Sequence, residues 1–247
     1  GVYTAGINVA ATLASVLAVP IALVAGWRGT LAAYSGASVL AVVPWLGRRH
    51  SNPKPPEHAA LPWRTPHAWL IAAIFALQAV TFYGFNAWLA DAYVERGWSE
   101  TRAGVLVAVM NGVTLLGGVT AAVTADRIGS RRSFLLAGAA LTTAGAAPIA
   151  ANAPAAWLWA VLVGISSGLL FTTAMTLPLD TARHGGEVAA LSTLMHGIGY
   201  ALAAVAPFAL GALRDTTGGF TAPLTALALN GVALFLVSAW LGHVRTG

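Results

Sequence analysis

Eight apolar stretches, each near the roughly 17 to 25 residues that cross a hydrocarbon core as helix, run through this chain with almost no charge inside them. They lie at about Thr4 to Ala25, Thr30 to Leu46, His67 to Ala90, Ala103 to Thr124, Ser133 to Ala151, Ala155 to Leu179, Val188 to Leu213 and Ala222 to Leu241. In lipid every backbone N–H and C=O needs an internal partner, which leaves helices and closed barrels as the spanning structures. A barrel would show alternating segments of about ten residues, and the pattern here is continuous instead. The spacing therefore predicts an all-α membrane protein. Composition agrees: 57% of residues are hydrophobic and 9% charged, against about 25% charged in soluble domains. Mean hydropathy is +0.74. A soluble helical protein would need polar faces that these stretches lack.

The few charges report orientation, because basic short loops stay on the cytoplasmic side. Alternate connections hold Arg48, Arg49, Lys54, Arg64, Arg127, Arg131, Arg132, Arg183 and Arg245 in one set, and Arg28, Arg96, Arg102 and Arg214 in the other. Nine against four places the first set, and with it both ends of this chain, in the cytoplasm of a multi-pass protein of the cell (inner or plasma) membrane. The loops around Trp27, Glu95, Asn152 and Asp215 then face outward. The pI near 10.2 belongs to this topology rather than to a nucleic-acid-binding face, since the basic residues are spread over several loops. Gly47 to Pro66 is the longest polar connection, and its prolines favour an extended linker that separates two spans from six. The chain contains no cysteine.

Between the fourth and fifth spans lies Asp126-Arg127-Ile128-Gly129-Ser130-Arg131-Arg132. This run resembles the cytoplasmic loop signature of major facilitator superfamily transporters, Gly-x-x-x-Asp-Arg-x-Gly-Arg-Arg, with Ala122 at the leading glycine and Ser130 at the first of the final basic pair. The same run read as an ordinary basic loop would also satisfy topology. The resemblance implies two six-helix halves joined by a long cytoplasmic loop, with copies of the signature after the second and eighth helices. Taking residues 47–66 as the central loop, or Asp126 to Arg132 as the second signature copy, gives the same count: eight of twelve transmembrane helices present, numbers five to twelve, with an amino-terminally truncated start. Residues 1–46 would be the last two helices of the first half and residues 67–247 the six-helix second half. Gly26-Trp27-Arg28 resembles the exterior turn between the fifth and sixth helices of such transporters.

Tyr83-Gly84-Phe85-Asn86-Ala87-Trp88-Leu89 with Tyr93-Val94-Glu95-Arg96-Gly97, then Leu179-Asp180, then His196-Gly197-Ile198-Gly199-Tyr200 running to Ala206-Pro207-Phe208, Gly211-Ala212-Leu213 and Gly218, resembles the cyanate transporter family, which includes nitroimidazole exporters. The resemblance implies a small-solute carrier working by alternating access, of cyanate-like small anions or, as the alternative, exporting nitroimidazole-like or other small drug-like compounds. It also implies a gate at Asp126, Arg127, Gly129, Arg131 and Arg132, and an anion-anchoring arginine in a first helix outside this sequence. The expected partners are the lipid bilayer, a small solute and a coupling proton. The chain is expected to act as a monomer, without cofactor, metal or nucleic acid.

Polar side chains inside spans are costly and mark pathway candidates. The third span offers Gln78, Tyr83, Asn86 and Trp88; Tyr83 and Asn86, three apart, share a face. Bonding between helices explains Asn86 equally well. Trp88 reads as an interfacial anchor. Asn111 stands beside Gly112, with Thr114 and the Gly117-Gly118 pair beyond, a pattern of close helix packing. Thr172 and Thr173 in the sixth span are candidates whose hydroxyls can also bond their own backbone. His196 and Tyr200 are four apart on one face of the seventh span. An imidazole there suits a proton or an anion, and a tautomer held by a neighbouring helix is the other reading. No Asp, Glu, Lys or Arg lies deep in any span, so no carboxylate relay is encoded. Pro20, Pro148, Pro178 and Pro207 are candidate bends. An enzyme would need a nucleophile or metal-spacing cluster, and His184 beside Glu187 has no such company. A receptor would need an output domain, for which the tail His243 to Gly247 has no room.

Overall fold

The computed structural model describes residues 60–128 and 130–241, together with residues 17, 21, 22, 24–40, 42 and 43. Six long helices follow one another: α1 (Pro66–Glu95), α2 (Glu100–Ile128), α3 (Arg131–Ala150), α4 (Ala156–Thr181), α5 (Gly185–Thr217) and α6 (Thr221–Leu241). Each contains a stretch long and apolar enough to cross a membrane, so the described residues hold six candidate spans rather than eight. Most of the first expected span and of the loop at 47–66 falls outside the described residues, whereas residues 30–40, 42 and 43 of the second expected span are described and helical. Residues 24–40 are helical, and the expected Gly26-Trp27-Arg28 turn lies within this helical stretch; the departure from helix is confined to Gly26, whose φ is +69°.

Local chemistry sets the helix ends. Pro66 opens α1, where its missing N–H costs nothing. Gly97 and Gly218 take positive φ at the close of α1 and α5, conformations that side-chain-bearing residues disfavour. The Ser130 hydroxyl accepts from the Ser133 N–H at 3.3 Å and caps α3. His184 and Glu187, a pair without evident purpose in the sequence, cap α5: His184 Nδ1 accepts from the Glu187 N–H at 3.3 Å, and Glu187 Oε2 accepts from the Arg183 N–H at 2.8 Å. The basic run is not a loop throughout. Helix α2 continues to Ile128 and α3 restarts at Arg131, because three of its first four residues are tolerated in helix and Ser130 supplies the cap.

Glycines bring backbones together where the bundle is tightest. A methyl group at Gly117 would overlap the Ile165 carbonyl, at Gly164 the Met110 carbonyl, and at Gly168 the Thr114 carbonyl, so α2 and α4 run parallel in direct backbone contact. The packing expected of Gly117-Gly118 is thus present. On the other flank α1 and α5 also run parallel: Phe75 fills the space a side chain would take at Gly199, and Trp88 the space at Gly211. Antiparallel contacts join the rest, with Gly138 and Gly145 of α3 against Leu170 and Val163 of α4, and Gly84 of α1 against Leu227 of α6. The α2–α4 contact therefore mirrors the α5–α1 contact, as if α1–α3 and α4–α6 were two related three-helix units. Pro148, Pro178 and Pro207 lie inside helices, whereas Pro20 falls outside the described residues.

One buried cluster, around Phe85, Leu89, Leu106, Ile149 and Leu224, lies toward the end of the bundle where α1 stops. A second, around Ile71, Phe75, Leu135, Leu170 and Met195, lies toward the end where α1 begins. That second end also carries Arg64, Arg131, Arg132 and Arg183 and is here termed the basic end.

Candidate functional site

The polar candidates occupy two levels. At the first, toward the end where α1 stops, Asn111 of α2 donates through Nδ2 to Asn86 Oδ1 of α1 at 2.7 Å, and Asn86 Nδ2 donates to the Phe82 carbonyl at 2.9 Å. The helix-to-helix bond weighed for Asn86 is therefore real. It still leaves the Asn111 carbonyl oxygen and a second N–H on each amide uncommitted to a protein partner in these bonds. Tyr83 is 41% exposed, and its ring meets Phe82 edge-on at 5.4 Å instead of the amide pair. Trp88, read from the sequence as an interfacial anchor, also joins helices: its indole N–H donates to the Pro207 carbonyl of α5 at 2.8 Å, and its ring lies 5.7 Å from Phe220.

The second level lies nearer the basic end. Phe75 and Asn86 are separated by about 16 Å of helix at 1.5 Å per residue. Around Phe75 gather His196, with ring centroids 5.1 Å apart, Tyr200 at 5.3 Å and Phe171 at 6.2 Å. His196 and Tyr200 stack at 5.8 Å with a 25° interplanar angle, as their spacing on one face of α5 foretold. His196 Nδ1 lies 2.7 Å from the Ser192 carbonyl oxygen and Nε2 lies 3.3 Å from Met175 Sδ of α4. Thr173 donates to the Leu169 carbonyl at 2.7 Å, the local bond that hydroxyls make in helices. Thr172 differs: it is 4% exposed and its hydroxyl oxygen has no partner.

Three further polar residues enter the picture. Gln78, one turn beyond Phe75, is 4% exposed with an unpartnered Oε1. Asn230 of α6 donates to the Leu77 carbonyl at 2.8 Å and to Thr81 Oγ1 at 2.7 Å. Thr142 of α3 donates to Ser166 Oγ of α4 at 3.0 Å, and Ser166 donates to the Val163 carbonyl. Each was visible in the sequence as a polar residue in an apolar span, but only contact geometry separates those that hold helices together from those left with free groups.

At the basic end Arg131 Nε pairs with Asp180 Oδ2 at 2.8 Å, tying the start of α3 to the end of α4, and Arg132 donates to the Ala239 carbonyl of α6 at 2.8 Å. Two arginines of the basic run thus bind α4 and α6 at one end of the bundle. The side chains of Asp126 and Arg127, and Gly129, lie outside the described residues. At the opposite end Glu95 accepts from Arg214 at 3.4 Å and from the Phe220 N–H at 3.3 Å, joining α1 to the α5–α6 turn. Among the described residues no group of three His, Cys, Asp or Glu side chains could hold a metal.

Comparison with known proteins agrees with this architecture. The family profile described as Major Facilitator Superfamily matches residues 1–204. The chain is 30% identical over 233 residues to the uncharacterized transporter YycB of Bacillus subtilis (strain 168), covering 91% of this chain and 58% of that protein. It is 28% identical over 250 residues to the 2-nitroimidazole transporter of Escherichia coli (strain K12), covering 98% and 64%. To the cyanate transport protein CynX of the same organism it is 27% identical over 229 residues, covering 89% and 58%. The chain therefore spans less than two thirds of the length of these relatives. Six apolar helices among the described residues, the glycine-packed bundle and the profile match lead to one conclusion: the chain belongs to the Major Facilitator Superfamily and is part of a multi-pass membrane protein.

Proposed function

We propose that this chain carries a small solute across the membrane by alternating access, with residues 67–247 as a six-helix half that rocks against a partner half to which residues 1–46 contribute. Residues 47–66 then form the loop between the halves. The basic end faces the cytoplasm, where Arg131 with Asp180 and Arg132 with Ala239 brace the gate formed by the Asp126 to Arg132 run. The first reading of the solute is a cyanate-like small anion. The observation that carries it is the Asn86–Asn111 pair, two half-buried amides with uncommitted N–H groups at a helix crossing, with His196 as the ionisable side chain at the second level. Tyr83, Thr172, Thr173 and Tyr200 complete the proposed pathway.

The second reading is efflux of nitroimidazole-like compounds. It is favoured by the rings of Phe75, Phe171 and Tyr200 around His196, which offer stacking to a planar heteroaromatic solute. Both readings are tested in the natural full-length gene product. Cells carrying it should take up radiolabelled cyanate faster than control cells, or survive added 2-nitroimidazole better. Asn86→Ala and His196→Ala should each lower transport about tenfold, the effect of losing one hydrogen bond to a charged or polar solute, at unchanged membrane abundance. Unchanged transport in both variants removes them from the pathway.

A further inference from the structure

The two neighbours of the His196 ring nitrogens are both acceptors. Nδ1 faces the Ser192 carbonyl oxygen at 2.7 Å, and Nε2 faces the thioether sulfur of Met175 at 3.3 Å. A neutral imidazole has one N–H and one lone pair, so either tautomer aims a lone pair at an acceptor. With Nδ1 protonated, the lone pair of Nε2 meets sulfur. With Nε2 protonated, the lone pair of Nδ1 meets the carbonyl. The imidazolium, with two N–H groups, satisfies both at once. Its stacked neighbour Tyr200, 5.8 Å away, presents a ring face of the kind that attracts a cation.

Among the described residues, the elements packed against this ring bring no opposing charge to it. Helix α1 presents Phe75, and α4 presents Met175. The titratable groups of α1, namely His67, Tyr83, Asp91, Tyr93 and Glu95, are not among the hydrogen-bond or ring partners of His196, and Asp180 of α4 is engaged by Arg131. The described part of α6 carries no titratable residue, and on α5 itself Tyr200 is the titratable side chain in contact. Helices α4 and α5 share far less packing than α2 and α4 or α1 and α5, so the His196–Met175 contact is one of few that join them.

We infer that His196 is a proton-binding site, and that its proton clasps α5 to α4 through Met175. When the proton leaves, the lone pair of Nε2 faces sulfur, the flexible Met175 side chain swings aside, and the two helices are free to separate. This rests on the transporter reading above and gives that transporter its coupling ion: a proton binds at Nε2 on one side of the membrane and is released on the other as α4 and α5 change contact.

The test uses the full-length gene product with 15N-labelled histidine in lipid nanodiscs, the His196 signals being assigned by their loss in His196→Gln. Both ring nitrogens should be protonated when the site is loaded, and one should lose its proton when it is emptied by raising the pH. Met175→Leu should abolish the hydrogen-bond shift of Nε2 and leave that of Nδ1. One neutral tautomer throughout, or an Nε2 signal indifferent to Met175→Leu, overturns the inference. In proteoliposomes, with cyanate and 2-nitroimidazole as probes, Met175→Leu should keep counterflow at equal pH and lose accumulation driven by an imposed pH gradient. Full retention of gradient-driven accumulation overturns the proton clasp. Absence of counterflow for both probes in the unmodified protein, with the spectra as expected, overturns the choice of solutes while the clasp stands.

Discussion

Hydrogen bonds between side chains in these helices do two different jobs. Thr142 donates to Ser166, which is already bonded to the Val163 carbonyl, in a site with both side chains almost wholly buried. The Asn86–Asn111 pair is half-buried and keeps donors to spare. Bonds of this kind inside membrane proteins contribute about 0.6 kcal/mol on average and up to about 1.7. Thr142→Val and Asn111→Leu should therefore each lower unfolding stability in lipid by about that much. Their effects on uptake should part: Thr142→Val retains transport and Asn111→Leu loses most of it. Equal loss in both would mean that transport follows packing and not contact with solute. The sequence showed Asn86, Asn111, His196 and Tyr200 as polar groups in apolar spans, and the four-residue spacing gave the His196–Tyr200 face. It could not show that Asn86 meets Asn111 or that Met175 meets His196, because such pairings depend on the register between helices distant in the chain. Met175 in particular gives no signal of its own in an apolar span.

At the scale of the element, length and apolarity alone placed the last six spans within a few residues of the observed ends, because a membrane leaves the chain little choice but helix. Contact between helices was legible only in part. Gly117-Gly118 announced a close approach, but the facing glycine on α4, Gly168, and Gly164 one turn before it against Met110, read equally as hydroxyl-rich pathway in the company of Ser166, Ser167 and Thr172. The backbone contact itself makes a sharp contrast testable. A methyl group at Gly168 would overlap the Thr114 carbonyl and lie 2.7 Å from the Gly118 nitrogen, whereas one at Gly112 meets nothing within 4 Å. Gly168→Ala should cost about 1 to 3 kcal/mol, the usual range for overpacking, and Gly112→Ala should leave the unfolding midpoint of the detergent-solubilised protein where it was. Equal midpoints would mean that α2 and α4 yield to each other more easily than two backbones in contact should.

For the whole molecule, sidedness connects the charge pattern to the mechanism. The basic end gathers Arg64, Arg131, Arg132 and Arg183, and the opposite end gathers Glu95, Arg96, Arg102, Arg214 and Asp215. Positive charge resists translocation, so the basic end should be cytoplasmic. If so, the proton site at His196 lies nearer the cytoplasm and the Asn86–Asn111 pair nearer the exterior, and the bracing of α3, α4 and α6 by Arg131 and Arg132 acts on the inner gate. These 247 residues contain no cysteine of their own to compete with an introduced one. Thr101 is exposed in the first turn of α2, and Gly185 is exposed at the start of α5 with open space where a side chain would go. In intact cells a membrane-impermeant maleimide should label Thr101→Cys and spare Gly185→Cys, which should react only after permeabilisation. The reverse pattern would put the basic run outside, exchange the depths of the two polar levels, and require the proton clasp to load from the opposite side of the membrane.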